Sequence, residues 1–187
     1  MKPAPKLQQH AHCSYCGSAF HPDVEWPRTC RACGNTTYRN PLPVAVVIQP
    51  VGTGVIVIRR GIEPQRGGLA LPGGYVNDGE DWRSAAAREL HEETGIRIAN
   101  PGSIKPFAVE SAPDGSLVLL FGLAPPIAPS DLPRFRPSDE ATERLIVDQP
   151  TELAFPLHTA MLQRYFRMRA CVDSSSSRIE IIEPAHA

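Results

Sequence analysis

The sequence predicts an α/β domain preceded by a small cysteine-rich module. Two C-x-x-C pairs near the start of the chain indicate the module, and apolar segments of strand length that alternate with two helical segments indicate the domain. The chain has 187 residues and is 42% hydrophobic, which suits one good core plus a small appended unit. We place the module at residues 10–40, the main domain at 42–172 and a flexible C-terminal tail at 173–187.

Composition limits the classes of partner. The formal net charge is −1, so the chain has no basic excess for bulk nucleic-acid binding. No apolar segment approaches the roughly 20 residues of a membrane span, and the first residues lack the apolar core of a signal peptide. We therefore expect a soluble, cytoplasmic protein with neither a membrane nor a nucleic acid as partner.

The cysteine pairs predict a zinc ribbon. Thirteen residues separate the two inner cysteines, and a glycine follows each pair, where a left-handed turn lets backbone amides face the thiolates. Four thiolates in tetrahedral geometry select Zn²⁺, and a site with no open position is structural. The four ligands are Cys13, Cys16, Cys30 and Cys33.

Other readings of the cysteines carry less weight. Disulfides or a redox C-x-x-C are the alternatives, and the absence of a secretion signal disfavours disulfides. Three nearby histidines could each replace a cysteine, although the four thiolates already complete the site; they are His10, His12 and His21. Cys171 is left over, and we expect it to be a buried apolar residue.

The strands of the main domain follow from apolar segments bounded by turn residues. Residues 44–48 and 55–60 flank a glycine-rich turn and predict a hairpin. Residues 105–111 and 116–123 flank Pro-Asp-Gly and predict a second hairpin, and residues 143–147 predict a further strand. Residues 157–169 carry apolar side chains at helical spacing and predict an amphipathic helix.

The most informative segment is the helix predicted over residues 82–94. Asp81 is a suitable N-cap and Gly95 the expected end. Within this helix Glu89, Glu92 and Glu93 share one face, because they lie at i, i+3 and i+4. Each fully charged pair at about 6 Å repels by on the order of 3 kcal/mol at an effective dielectric constant of about 20. A solvated acidic face is one explanation, and a bound Mg²⁺ is the other.

The residues around the helix favour the metal. Gly74, five residues, Glu80, seven residues and then residues 88–96 (RELHEETGI) match the Nudix box at every defined position, so the chain resembles the Nudix hydrolases. The resemblance implies a Nudix α/β/α sandwich around a mixed sheet. It also implies hydrolysis of a nucleoside diphosphate linked to a group X, which gives a nucleoside monophosphate and phosphorylated X.

The resemblance also implies roles for the box residues. Glu89 and Glu93 are the expected ligands of Mg²⁺ or Mn²⁺, and Glu92 is the third. Glu92 and Glu93 are also candidate catalytic residues. Arg88 and Glu80 are expected to pair and to hold the loop against the helix.

Three further groups lie outside the helix. Gly73 and Gly74 allow phosphate to approach the backbone, and either Arg59 or Arg60 could contact phosphate, Arg60 being our choice. In several Nudix enzymes a glutamate beyond the box completes the site. Glu143 is our preferred general base because it directly precedes an apolar segment, with Glu140 as the alternative.

The substrate is the least determined feature. A zinc ribbon before a Nudix domain resembles the NADH pyrophosphatases, but their S-Q-P-W-P-F-P segment is absent here. The chain also resembles a shorter ribbon-plus-Nudix group in its length and in its closing segment, residues 143–155. That resemblance implies a pyrophosphatase that acts on ADP-ribose or FAD. We expect a nucleotide of this kind, with NAD(H)-like dinucleotides retained. Nucleoside triphosphate house-cleaning and a non-catalytic nucleotide sensor whose ribbon binds partners are the alternatives, and a homodimer stays open.

Overall fold

The structure, a computed structural model, describes residues 9–21 and 23–176. It divides into two compact units, Met1–Pro41 and Leu42–Ala187. None of its described helices is long and apolar enough to cross a membrane.

The first unit is organised around the cysteine pairs. Strands β1 (Arg28–Thr29) and β2 (Thr36–Thr37) form an antiparallel ladder that carries the second pair. Gly17 and Gly34 have φ of 74° and 73°, and their amides donate to the carbonyls of Cys13 and Cys30. The left-handed glycine turns predicted after each pair are therefore confirmed.

The second unit contains eight strands and two α-helices among the residues described. Their order is β3 (Leu42–Ile48), β4 (Pro50–Val51), β5 (Gly54–Arg60), β6 (Leu69–Ala70), β7 (Gly73–Tyr75), α1 (Trp82–Thr94), β8 (Lys105–Ser111), β9 (Leu117–Leu123), β10 (Ala141–Val147) and α2 (Pro156–Ser176).

The strands of this unit form two sheets. One has the order β7-β3-β9-β8 and is mixed, because β3 and β9 run parallel while its other pairs are antiparallel. The other has the order β10-β5-β4, with β6 also on β5. The hairpin predicted from residues 44–48 and 55–60 is wrong, because β3 and β5 belong to different sheets. After β3 the chain crosses over at Gln49, and only the two-residue strand β4 turns back onto β5.

Alternate residues of β3 face opposite layers. Ala45 and Val47 belong to the core cluster that contains Ala86 and Leu90 of α1. Val46 and Ile48 belong to the cluster that contains Met161 and Leu162 of α2. A strand buried on both faces requires a layer on each side, so the predicted α/β/α sandwich is confirmed.

The helices end differently from one another. Helix α1 has the predicted bounds; Asp81 accepts from the Arg83 amide, and Gly95 ends the helix at φ 79°. Helix α2 continues to Ser176, beyond the apolar pattern that ends near residue 169, and so includes the first residues of the predicted tail. Residues 177–187 of the predicted tail lie outside the described part.

Candidate active site

Helix α1 and strand β7 bring the box residues together. Strand β7 pairs with β3, and the small buried residues Ala85 and Ala86 let α1 pack against that sheet. Thr94 is fully buried at the end of the helix, where its hydroxyl donates to the Leu90 carbonyl. The acidic face of α1 is thereby fixed next to the two glycines of β7.

Glu89 and Glu93 are buried against that glycine strand. They are only 8% and 5% exposed. The Gly73 amide donates to Glu93 Oε2 at 2.9 Å, and a Cβ on Gly74 would collide with the Glu89 carboxylate. The predicted tight glycine turn is thus a short strand, and the glycines are needed because carboxylates and neighbouring backbone occupy the space of a side chain.

Burial makes these carboxylates hard to ionise. It raises the pKa of Glu93 to about 8; the Gly73 hydrogen bond and the charge of Arg60 lower that pKa, and the charges of Glu89 and Glu140 raise it. Burial also raises the pKa of Glu89, against the opposing effect of Arg88. Two buried carboxyl groups with raised pKa values form a site that a cation would stabilise in the ionised state.

Arg88 joins the acids of the helix to the preceding loop. Its guanidinium makes a bidentate pair with Glu80 at 2.9 Å, as predicted, and the hydrogen bond lowers the pKa of Glu80. It also donates to Glu89 at 2.6 Å and to Glu92 at 3.1 Å. Glu92 differs from its two neighbours, because its side chain is 52% exposed.

The two arginines at the end of β5 take different directions. Arg59 forms an exposed pair with Glu143 at 2.8 Å. Arg60 lies 5.0 Å over the Phe155 ring, and its charge opposes the burial that raises the pKa of Glu93. Burial, together with the charge of Arg60, lowers the pKa of His158. Arg60, our choice from the sequence, is therefore electrostatically close to Glu93, and its contact with phosphate stays a prediction.

Glu140, the alternative base, lies electrostatically close to the box glutamates. Burial is the main cause of the raised pKa of Glu89 and of Glu93, and the charge of Glu140 is a minor one. Strand β10 begins at Ala141, two residues before the predicted start, and a register shift between Ala141 and Glu143 places Glu143 opposite Arg59. Glu143 therefore lies within the strand and is paired with Arg59, and the choice of the general base stays a prediction.

The donor set suits a hard divalent cation bound with water and substrate oxygens. The buried carboxyl groups of Glu89 and Glu93 meet a backbone cradle that admits no side chain, and Glu92 adds an exposed carboxylate. Within the described residues, carboxylate oxygens of these three glutamates do not all lie within 4.8 Å of one another. Mg²⁺ commonly keeps several waters and binds through one or two carboxylates plus phosphate, so this partial set fits it.

The structure brings the four cysteines of the predicted zinc site together. The sulfurs of Cys13, Cys16, Cys30 and Cys33 all lie within 4.8 Å of one another, and no other group of three or more histidine, cysteine, aspartate or glutamate ligands in the described chain does so. A backbone hydrogen bond from Cys16 lowers the pKa of Cys13, and hydrogen bonds with Ser18 lower that of Cys16 to about 6. Four converging thiols of this kind are the donor set of a structural zinc ribbon.

Three further residues lie outside both ligand sets. Cys171 is exposed on α2, so the prediction that it is buried is wrong. His21 pairs with Asp23 at 3.1 Å instead of joining the thiols. His158, which belongs to no motif in the sequence, is buried and accepts the Leu71 amide on Nδ1.

Comparison with known proteins agrees with this geometry. The model of the NUDIX domain matches residues 39–159. The chain is 31% identical over 94 residues to a Salmonella typhi protein named NAD-capped RNA hydrolase NudC. These 94 residues are 50% of this chain and 36% of that protein. The match thus spans about a third of the relative's length.

Solved structures extend the comparison to most of the chain. The crystal structure of a NUDIX hydrolase from Nitrosomonas europaea has a TM-score of 0.69 at 27% identity and covers 86% of this chain and 92% of that one. A bifunctional NMN adenylyltransferase/ADP ribose pyrophosphatase from Francisella tularensis, at 19% identity, TM-score 0.52 and coverage of 73% and 42%, shares the fold. With the box residues in place and the family match covering most of its length, this chain belongs to the NUDIX family.

Proposed function

We propose that the protein hydrolyses the pyrophosphate bond of a nucleoside diphosphate linked to X, with Mg²⁺ or Mn²⁺ as cofactor. The observation that carries this is the pair of buried glutamates on α1, packed against a glycine strand that leaves no room for a side chain. A bound cation would offset their desolvation and would leave coordination positions for substrate phosphate.

Each residue has a definite task in this proposal. Glu89 and Glu93 would hold the ion, with Glu92 as the exposed third ligand. A bound ion would supply polarisation of phosphate oxygens and a lower pKa of water. Arg60 offers positive charge to phosphate, and the Arg88–Glu80 pair fixes the loop on the helix.

Glu140 is the general base in this proposal, in place of Glu143. Attack of water on phosphorus forms one P–O bond and breaks the bridging P–O bond, and the proton released from the water passes to a carboxylate. Glu140 affects the pKa of both buried glutamates, whereas Glu143 is held by Arg59. The products are a nucleoside monophosphate and phosphorylated X.

A dinucleotide is the favoured substrate class. The NudC relative is named for NAD-capped RNA, so NAD-like compounds join ADP-ribose and FAD as candidates. The missing S-Q-P-W-P-F-P segment weighs against identical specificity. Structural Zn²⁺ in the four-cysteine site, a cytoplasmic location and the domain limits 10–40, 42–172 and 173–187 stay predictions from the sequence.

The test is product formation from ADP-ribose, FAD, NADH, NAD⁺ and the nucleoside triphosphates, each with Mg²⁺, with Mn²⁺ and in buffer freed of both. Metal-dependent release of AMP from one dinucleotide at about 10⁴ M⁻¹s⁻¹ or more is expected. Chelators are avoided because they would also strip the thiolate site. Nucleotide binding without turnover of any substrate would contradict the proposal and favour a sensor.

A further inference from the structure

A basic cavity of about 340 Å³ lies beside the C-terminal end of α1, near the lower limit of roughly 300–1,000 Å³ for ligand pockets. Six residues line it: His91, Glu92, Gly95, Arg97, Arg134 and Arg136. Glu92 therefore belongs both to this cavity and to the proposed metal site.

The three arginines of the cavity are not neutralised by acids. In the described part of the chain, no carboxylate lies within 4.0 Å of the charged groups of Arg97, Arg134 or Arg136. The acid that does line the cavity, Glu92, is paired with Arg88. Because the whole chain has a formal net charge of −1, this concentration of positive charge is local.

The segment that presents two of these arginines is anchored. Arg134 and Arg136 are exposed, while Phe135 between them is half-buried, lying 5.5 Å from the Arg144 guanidinium. Arg144 also donates to the Pro133 carbonyl at 2.8 Å. Both arginines line the cavity, and the contact that holds Phe135 fixes the segment between them.

Arg144 also removes a charge that would oppose an anion there. The end of a helix carries partial negative charge on its last carbonyls. Arg144 donates to the Thr94 carbonyl, at the last residue of α1, at 2.6 Å. The cavity is therefore basic even though it borders a helix C-terminus.

We propose that this cavity binds a phosphate group that lies outside the scissile pyrophosphate of the substrate. Arginine suits phosphate because its planar fork of N–H donors matches the phosphate oxygens. The phosphate can be a ribose 2′-phosphate or the first phosphodiester of a capped RNA, and the chemistry of recognition is the same. This inference rests on the proposed function, and it revises the expectation of no nucleic-acid partner for the second case.

The decisive experiment compares paired substrates that differ by one phosphate. The pairs are NADH with NADPH, and NAD⁺ with a short NAD-capped RNA, each assayed with Mg²⁺. The double variant R134Q/R136Q is expected to lower kcat/KM for the phosphate-bearing member at least tenfold relative to its partner. The control variant K105Q/R167Q removes two exposed cations that do not line the cavity, and it should leave both ratios unchanged. The pair that responds identifies the source of the phosphate.

A binding measurement separates this inference from the proposed function. Inorganic tripolyphosphate is titrated calorimetrically into protein that is loaded with zinc but free of magnesium and manganese. The double variant R134Q/R136Q and the single variant R97Q are each expected to weaken tripolyphosphate binding at least fivefold. If the variants weaken tripolyphosphate binding in this way but no substrate is hydrolysed, the proposed function is refuted and the inference of a phosphate-binding cavity is supported. If hydrolysis proceeds and neither the ratios nor binding respond to either variant, the cavity inference is overturned and the proposed function stands.

Discussion

Replacing Glu93 by glutamine should stabilise the metal-free protein while it abolishes metal-dependent turnover. The Glu93 carboxyl is 5% exposed, and burial raises its pKa to about 8 from 4.5. A group whose pKa is raised on folding binds its proton more tightly in the native state. Its ionisation therefore lowers the free energy of unfolding as pH rises from about 4.5 to about 8. Glutamine has no charge to desolvate, and its oxygen can still accept the Gly73 amide.

The magnitude follows from the two pKa values. At pH 7 the penalty is about 3 kcal/mol, and between pH 6.5 and 8 it grows by about 1.5 kcal/mol. His158 sets the lower limit of this window. Burial lowers its pKa to about 4 from 6.5, so its contribution to stability is lost as pH falls from 6.5 to 4. Above pH 6.5 the trend expected from Glu93 is no longer opposed by this histidine.

The assay is urea unfolding of zinc-loaded, magnesium-free protein at pH 6.5, 7.2 and 8.0. Trp82 fluorescence in a W26F background reports the unit of residues 42–187, because Trp26 lies in the other unit. The parent should lose stability across this range and recover it when Mg²⁺ is added, whereas E93Q should show a flatter profile at higher stability. The exposed substitution E92Q is the matched control and should retain the slope of the parent. A parent and an E93Q protein with equal slopes would refute the reasoning.

Three further predictions concern Gly74, Glu140 and Cys33. Gly74→Ala should cost about 1–3 kcal/mol of stability and most of the activity, because the added Cβ meets the Glu89 carboxylate; urea unfolding and turnover measure both effects. Glu140→Gln should lower kcat by about 10²–10⁴, while Glu143→Gln, which loses only an exposed ion pair, should stay within about threefold; equal losses would contradict the assignment of the base. Cys33→Ser should release zinc, measured by elemental analysis, and leave the Trp82 unfolding transition of the other unit unchanged; retention of one zinc per chain would argue against four thiolate ligands.

Local patterns in the sequence were sufficient for the acidic helix. Asp81 and Gly95 define the bounds of α1, and the spacing of its glutamates places them on one face. The zinc-binding pattern is equally local, because both cysteine pairs and their glycines lie within residues 13–34. Both features depend on backbone geometry over a few residues, which sequence spacing encodes directly.

Pairing between distant strands was less predictable. Residues 44–48 and 55–60 have the composition of a hairpin, yet they lie in different sheets because the chain crosses over at Gln49. The pairing of Glu143 with Arg59 depends on a register shift in β10, which has no local sequence signal. The cavity arginines were missed for a related reason, since Arg134 and Arg136 come close to α1 only through their anchor on Arg144.

The four acceptors of Arg88 have a consequence for the acidic face of α1 when no ion is bound there. One guanidinium contacts Glu80, Glu89, Glu92 and the Tyr75 carbonyl. It therefore supplies Glu89 and Glu92 with a permanent counter-charge, while the charge of Arg60 acts on Glu93. Because these contacts join the loop to the helix without an ion, we expect both to keep their arrangement when the proposed metal ion leaves. Its return would then require an exchange of ligands and no refolding step.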